Sequence, residues 1–171
     1  MNFLELAADR YSVRKFKDQP IEEDKLERII EAARLAPTAC NNQPQKIYVV
    51  KSEEKRAALK ALCPCTFDAP VVLAIGYDVE RTWKNKLMPG YQSGETDAAI
   101  VCTHMMFEAW EQGIGSCWVG WFNADQVEVA LGLPETVTIS ALLPIGYPAE
   151  GVEPANLHTL SRENADMVEV L

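Results

Sequence analysis

Between Thr96 and Gln112 the apolar residues Ala98, Ala99, Ile100, Val101, Cys102, Met105, Met106, Phe107, Ala109 and Trp110 point in every direction when wound at about 100° per residue, and Asp97 and Glu111 are confined to the two ends. A helix without a polar stripe is a buried helix, so the rest of the chain is expected to pack around it. Gly113 and Gly115 stop the helix, and Ser116 to Phe122 has the β-branched and aromatic content of a strand. A chain of 171 residues covers such a helix on all sides only with a sheet and further helices, or with a second subunit.

The flanking segments carry their own periods and punctuation. Asn2, with Glu5 three residues on, forms a capping box for a short helix from Phe3 to about Asp9. Leu26, Ile29, Ile30 and Ala33 lay a helical stripe from Glu22 to about Ala36, where Pro37 ends it, and Asp24 is spaced to pair with Arg28. Lys46 to Lys51 reads as a strand, Ser52 caps a helix to about Leu62, and Ala69 to Tyr77 is an almost fully apolar strand expected at the centre of a sheet. The stretch from Asp78 to Ser93 has no clear period, and its Trp83 and Tyr91 predict a lid-like excursion. Asn123 caps another helix, with Gln126 at its third position, and Gly132 and Pro134 end it. Val137 to Tyr147 is the last long strand, where Pro144 and Gly146 mark an edge, a bulge or a close backbone approach. The polar tail from Pro148 reads as an arm or a frayed end. The whole, residues 1–171, is expected to be one domain.

Composition removes several functions. A formal charge of −9 and a pI near 4.7 oppose the positive field that phosphate-backbone binding requires, which excludes nucleic acid and anionic membrane as partners. The longest run without a charged residue, Thr136 to Ala149, contains two prolines and falls short of the roughly 18 residues of a membrane span. No apolar segment follows a basic start, so no secretory leader is expected, and five cysteines without a framework spacing fit a reducing cytoplasm. Cys63-Pro64-Cys65 has no second pair, and neither His104 nor His158 stands at a zinc-like spacing from it, so no metal site is expected. His104, inside the apolar helix, reads as a core or interface histidine. No catalytic side chain suggests itself.

Two stretches carry candidate chemistry. In an extended segment Arg10, Ser12 and Arg14 project from one side at period 2, two guanidinium forks and a hydroxyl that match the oxygens of a phosphate. With Lys15 and Lys17 this window holds four of the sixteen basic residues of an otherwise acidic chain, and the competing reading is a solvated basic turn. The loop Pro37-Thr38-Ala39-Cys40-Asn41-Asn42-Gln43-Pro44 concentrates amides and a hydroxyl between two prolines; it suits the edge of a uracil-like ring, or it is a helix stop with ordinary turn residues.

In chain order, Arg10-Tyr11-Ser12-Val13-Arg14, the run Ala36 to Pro44, the helix–strand unit opening at Asp97 and passing through Gly113-Ile114-Gly115-Ser116-Cys117-Trp118-Val119-Gly120, and Pro144-Ile145-Gly146-Tyr147-Pro148 resemble the nitroreductase family of FMN-dependent oxidoreductases. The resemblance implies an α+β fold with a mixed, mostly antiparallel sheet wrapped by helices around a central buried helix, built as an intimate homodimer with FMN at the subunit interface. It implies that Arg10, Tyr11, Ser12 and Arg14, joined by Arg162 from the tail, hold the FMN phosphate. Pro37, Thr38, Ala39, Asn41 and Gln43 then reach the flavin from the other subunit, and Trp118, Val119 and Gly120 lie beside the ring, where a backbone N–H faces N5. The implied activity is transfer of electrons from NADH or NADPH through FMN to small aromatic acceptors such as nitroarenes, quinones or flavins, in a ping-pong mechanism. This chain departs from the family at Gln45, where an aromatic often follows the Gln-Pro pair, and in a tail with one arginine in place of a basic pair.

Three other readings compete. A nicotinamide-binding Rossmann domain fails because Gly113-Ile114-Gly115 follows a helix and enters a strand, the reverse of the fingerprint's context. A flavin-binding or structural dimer without turnover has the same cofactor contacts. A reductive dehalogenase-like enzyme on the same fold differs only in what is admitted over the flavin.

Overall fold

The computed structural model of the protein describes residues 2–171. Three helices, α1, α3 and α5, begin where their caps predict. In α1 (Phe3–Asp9) the Asn2 side chain accepts from the Glu5 N–H at 3.0 Å while the Glu5 carboxylate accepts from the Asn2 N–H at 3.0 Å. α2 spans Glu23–Leu35. After β1 (Gln45–Val50), Ser52 caps α3 (Glu53–Leu62). β2 is Val71–Asp78, the long helix α4 is Gly94–Glu111, β3 is Gly115–Ser116, and Asn123 caps α5 (Ala124–Leu131) through the Gln126 N–H ahead of β4 (Val137–Gly146).

The strands lie in the order β1-β2-β4-β3 with every ladder antiparallel, and one isolated parallel bridge, Ser12 to Ser116, adds the mixed character. β2 alternates between two cores. Leu73 and Ile75 face α2 and α4, with Ile29, Met105 and Ile114, whereas Val72 and Ala74 face α3 and α5, with Leu59, Cys63 and Val127. Helices on both faces are what make this strand apolar throughout.

The carboxyl end of β4 is not an edge, because β4 runs between β2 and β3. The close approach expected there is present: a Cβ at Gly146 would lie 2.8 Å from Pro70 Cδ. The register shift falls elsewhere, between Ile75 and Gly76, where the partners jump from Ala141 to Ile139 and leave Ser140 unpaired. A Cβ at Gly76 would stand 2.1 Å from the Thr138 carbonyl oxygen, so only glycine fits beside this bulge.

The strand expected from Ser116 to Phe122 is shorter, and Pro144 is the reason. The register that pairs Gly115 with Gly146 and Ser116 with Ile145 brings Cys117 opposite Pro144, where the Cys117 N–H donates to the Pro144 carbonyl at 3.2 Å but proline has no N–H to return. Pairing resumes once, at Val119 and Leu142, with bonds of 2.9 and 3.0 Å, and stops before Gly120.

α4 packs one face, Ala98, Val101, Cys102, Met105 and Ala109, against the sheet and α2. Its other face is only partly covered by its own chain. Ala99, Ile100, Met106, Phe107 and Trp110 are half-buried, and His104 is exposed, its Nδ1 2.8 Å from the Ile100 carbonyl oxygen, so His104 lies outside the chain's own core. Phe3, Leu6, Ala32, Leu35, His104 and Phe107 line an apolar groove of about 500 Å³ along this face. Arg28 does not pair with Asp24 as its spacing predicts; it reaches across to Glu108 of α4 at 3.1 Å. The excursion after β2 is an ordered hairpin: Lys84 bridges Gln92, and buried Thr82 donates to the Gln92 side chain at 2.6 Å. Among the described residues, no helix is long and apolar enough to cross a membrane.

Candidate functional site

The extended segment after α1 alternates as its period requires. Val13 is fully buried, and a Cβ at Gly115 would sit 2.6 Å from Val13 Cγ2, so the chains touch here only because Gly115 has no side chain. The Val13 N–H donates to the Ser116 carbonyl at 2.9 Å, which fixes the segment against β3. Arg10, Tyr11, Ser12 and Arg14 then line a cavity of about 300 Å³, closed by Ala155, Leu157 and His158 of the tail. Arg10 Nε is buried without an acceptor. A guanidinium N–H removed from water and left unpaired costs on the order of 1–3 kcal/mol. Arg14, more exposed, only touches the Ser12 carbonyl at 3.4 Å. Behind the cavity, burial pushes the Cys117 thiol up against the opposing pull of Arg14, the Ser12 side chain and Arg10.

Tyr11 lines the cavity, but its polar end is engaged elsewhere. Its hydroxyl donates to the Val152 carbonyl at 3.2 Å, and its ring meets Trp110 edge-on at 5.0 Å and His158 at 6.1 Å. Burial, then Asp9 and Glu153, raise its phenol. Tyr11 is therefore the post that ties the tail to the cavity. Arg162 lies on the exposed tail, outside the cavity lining.

The loop from Pro37 to Pro44 is stiffer than its exposure suggests. Cys40, Asn41 and Gln43 all take left-handed backbone conformations, with φ of 52°, 54° and 50°. Each costs a non-glycine residue on the order of 1 kcal/mol, so the surroundings must hold them. The Asn41 N–H donates to the Thr38 carbonyl, the Asn42 N–H to the Ala39 carbonyl, and the Gln43 N–H to Thr38 Oγ1 at 3.1 Å. Asp97, only 2% exposed in the first turn of α4, anchors the whole: one carboxylate oxygen accepts from the Ala39 N–H at 2.8 Å and the other from the Ser93 hydroxyl at 2.6 Å, while Ser93 Oγ accepts from the Trp83 N–H. Loop and hairpin are thus pinned to one carboxylate. The backbone of Ala39, Asn41 and Gln43 is engaged, the side chains of Asn41 and Gln43 face outward, and the Thr38 hydroxyl keeps its proton free to donate. Asp97→Ala should leave the Ala39 N–H and the Ser93 hydroxyl without acceptors and cost about 2 kcal/mol, or roughly 4–8 °C in Tm. Hydrogen exchange at Ala39 should accelerate, and Asp97→Asn, which keeps an acceptor for that N–H, should restore most of the protection; unchanged exchange in the alanine variant would refute the anchor.

At the third stretch Val119 is buried and its N–H is committed to Leu142, so it cannot face a ligand as the sequence reading allowed. Antiparallel alternation turns the N–H groups of Trp118 and Gly120 away from β4, and Gly120 has open space where a Cβ would stand. Trp118 is partly exposed beside it.

The four residues of the first motif come together, but those of the second do not join them. The loop contacts α4 through Asp97 at its amino end, whereas the cavity meets α4 through Trp110 at its carboxyl end. Sequence reading missed His158 and the role of Asp97. Asp97 was visible only as the polar end of an apolar helix, and nothing in the sequence announces that the tail folds back on Tyr11. Among the described residues, no cluster of three or more His, Cys, Asp or Glu side chains forms a metal-binding group.

The profile of the Nitroreductase family matches residues 7–66 and 58–147. The chain is 30% identical over 187 residues to a Thermus thermophilus protein named NADH dehydrogenase, covering 91% of each. It is 28% identical over 159 residues to the Bacillus subtilis FMN reductase (NAD(P)H), covering 83% of this chain and 64% of that protein. Its fold superposes on the crystal structure of a nitroreductase family protein from Clostridium difficile 630 with a TM-score of 0.91 at 33% identity, covering 99% of this chain and 98% of that one. An FMN-dependent nitroreductase from Clostridium difficile R20291 gives a TM-score of 0.79 at 26% identity over 98% of each chain.

Proposed function

Because the chain belongs to the nitroreductase family, we propose that it is an FMN-dependent oxidoreductase that uses NADH or NADPH to reduce small aromatic acceptors, such as nitroarenes, quinones or flavins, in the cytoplasm. The observation that carries this reading is the cavity lined together by Arg10, Ser12 and Arg14. Two guanidinium forks and a hydroxyl fit a terminal phosphate, so the residues present suit the cofactor. When bound, FMN supplies hydride acceptance from the nicotinamide and, in a second half-reaction, electron delivery to the acceptor.

The chain's own residues hold and orient. Arg10 and Arg14 neutralise the phosphate and Ser12 donates to it, while Arg162, outside the cavity lining, would join them only if the tail moved inward. Tyr11 positions the wall of that cavity. The Thr38 hydroxyl and the Asn41 and Gln43 amides are placed to read the edge of the flavin ring, on a backbone that Pro37 and Ala39 help to stiffen. Trp118 and the Gly120 N–H face the ring's other border. Loop and cavity lie at opposite ends of an 18-residue helix, so one flavin using both needs two chains, with α4 of one running antiparallel to α4 of the other. The partly covered apolar face of α4, with the groove beside it, supports that homodimer.

Burial pushes the Cys63, Cys102 and Cys117 thiols up, away from the reactive thiolate, which supports cofactor chemistry over a thiol relay. The test is flavin bleaching on anaerobic addition of NADH or NADPH, followed by two-substrate kinetics with a quinone. Parallel lines are expected, and Cys40→Ser and Cys117→Ser should still bleach. A protein that binds FMN but is reduced by neither nicotinamide would be a flavin-binding dimer instead.

A further inference from the structure

We propose that the hairpin between β2 and α4 is a seat for the 2′-phosphate of the nicotinamide coenzyme, with Lys84 and Lys86 as its ligands, so that this protein prefers NADPH to NADH. The inference rests on the reading of the chain as an FMN-dependent oxidoreductase, and it makes a choice of electron donor that the reading leaves open.

From Arg81 to Gly94 the chain carries Arg81, Lys84 and Lys86 and no acidic residue, although its formal charge is −9. Among the described residues none of these three side chains is ion-paired, whereas Lys25, Arg28, Arg34, Lys51 and Lys60 each have a carboxylate partner. Lys84 and Lys86 are exposed, and with Asn85, Tyr91 and Gln92 they line a cavity of about 390 Å³. The support beneath them is ordered. The Ser93 N–H donates to the Trp83 carbonyl at 3.0 Å and the Asn85 N–H to the Tyr91 carbonyl at 3.1 Å, the Tyr91 ring meets the Trp83 ring edge-on at 6.5 Å, and buried Thr82 is bonded to Gln92. A ligand met by a built hairpin orders less chain on binding than one met by a loose loop.

Asp97 fixes where the hairpin stands relative to the loop assigned to the flavin ring. Its carboxylate accepts from the Ala39 N–H at 2.8 Å and from the Ser93 hydroxyl at 2.6 Å, and Ser93 Oγ accepts from the Trp83 N–H, so hairpin base and loop share one anchor. Lys84 and Lys86 lie one and three residues beyond Trp83, within about 10 Å of it at roughly 3.3 Å per extended residue. A coenzyme with its nicotinamide on the flavin holds its adenosine a ribose and a pyrophosphate away, and the two lysines stand at such a remove from the ring's border. Charge then decides the preference. NADPH differs from NADH by one phosphate monoester, which carries about −1.5 to −2 charges at pH 7. The net field of an acidic chain opposes that added charge, so a preference for NADPH needs cations at the phosphate itself, and the hairpin brings two ammonium groups to one cavity.

The experiment uses the FMN-loaded full chain, so that the Arg10–Arg14 cavity is already filled, and compares the wild type with Lys84→Gln/Lys86→Gln. Anaerobic flavin reduction should be at least about tenfold more efficient with NADPH than with NADH in the wild type, the scale of one charge-assisted hydrogen bond, and the ratio should fall to about one in the double variant. Calorimetry should show adenosine 2′,5′-bisphosphate binding the wild type about tenfold more tightly than adenosine 5′-monophosphate, and the variant binding the two alike. Lys51→Gln/Lys60→Gln removes the same charge elsewhere and should keep the wild-type ratio; if it lowers the ratio as far, the general field and not the hairpin selects the donor, and the proposal falls. A wild type that uses both donors equally or prefers NADH, or a ratio unchanged in Lys84→Gln/Lys86→Gln, overturns the proposal and leaves the oxidoreductase reading standing. A wild type reduced by neither donor overturns both. If the hairpin variant loses a preference for FMN over riboflavin as acceptor while its donor ratio holds, the phosphate met there is the acceptor's, and the assignment to NADPH is wrong.

Discussion

Replacing both Arg10 and Arg14 by Ala should strip the purified protein of FMN while leaving its weaker riboflavin binding intact. Arg10, Ser12 and Arg14 line one cavity, so the double variant removes both guanidinium groups able to meet a phosphate there. A hydrogen bond between a guanidinium and a phosphate contributes about 1.5–3 kcal/mol, but Arg14 is exposed, and its share belongs at the low end because water and salt screen it. Together the two losses should weaken FMN by a factor of a hundred or more, read by fluorescence titration. Arg10→Lys should fall between, since an ammonium keeps the charge but not the planar fork. If the double alanine variant still purified with one FMN per chain, the phosphate would have to lie elsewhere.

The second large effect concerns assembly. The wild type, a chain of 19.0 kDa, should sediment at twice that mass at low micromolar concentration, and Leu35→Glu/Phe107→Glu should sediment as a monomer without flavin. Leu35 is 66% exposed on its own chain, and Phe107 is half-buried, touching Phe3 edge-on at 5.3 Å, so these carboxylates meet little in the isolated subunit. In a two-fold dimer closing this groove they become four unpaired charges taken out of water, each costing several kcal/mol. Association should weaken by at least a thousandfold, and far-UV circular dichroism should stay close to that of the wild type. A 19 kDa species that keeps its FMN would refute the shared site.

The helix caps were legible because they are local. Asn2 with Glu5, Ser52, and Asn123 with Gln126 each satisfy N–H groups within four residues, so side-chain identity and spacing suffice to place them. The same holds for the alternation that buries Val13 and turns Arg10, Ser12 and Arg14 outward. The end of the strand after Gly115 was not legible, because it depends on Pro144 standing opposite Cys117, a partner 27 positions along the chain in a register that only the folded sheet defines. Arg28 likewise chose Glu108 over the nearer Asp24 once α2 lay against α4.

What the sequence by itself determined was therefore the kind and approximate limits of α1 to α5, β1, β2 and β4, the phosphate-type donors after α1, and the amide-rich loop ahead of β1. Those follow from periodicity, caps and the chemistry of neighbouring side chains. What only the tertiary structure decided was which groups meet: that Asp97 fastens the loop to the hairpin, that Tyr11 draws His158 over the cavity, and that loop and cavity stand at opposite ends of α4. Such pairings join residues tens of positions apart, and a polar group's partner across that separation depends on how helices and strands pack, a matter on which a single residue's identity carries no information.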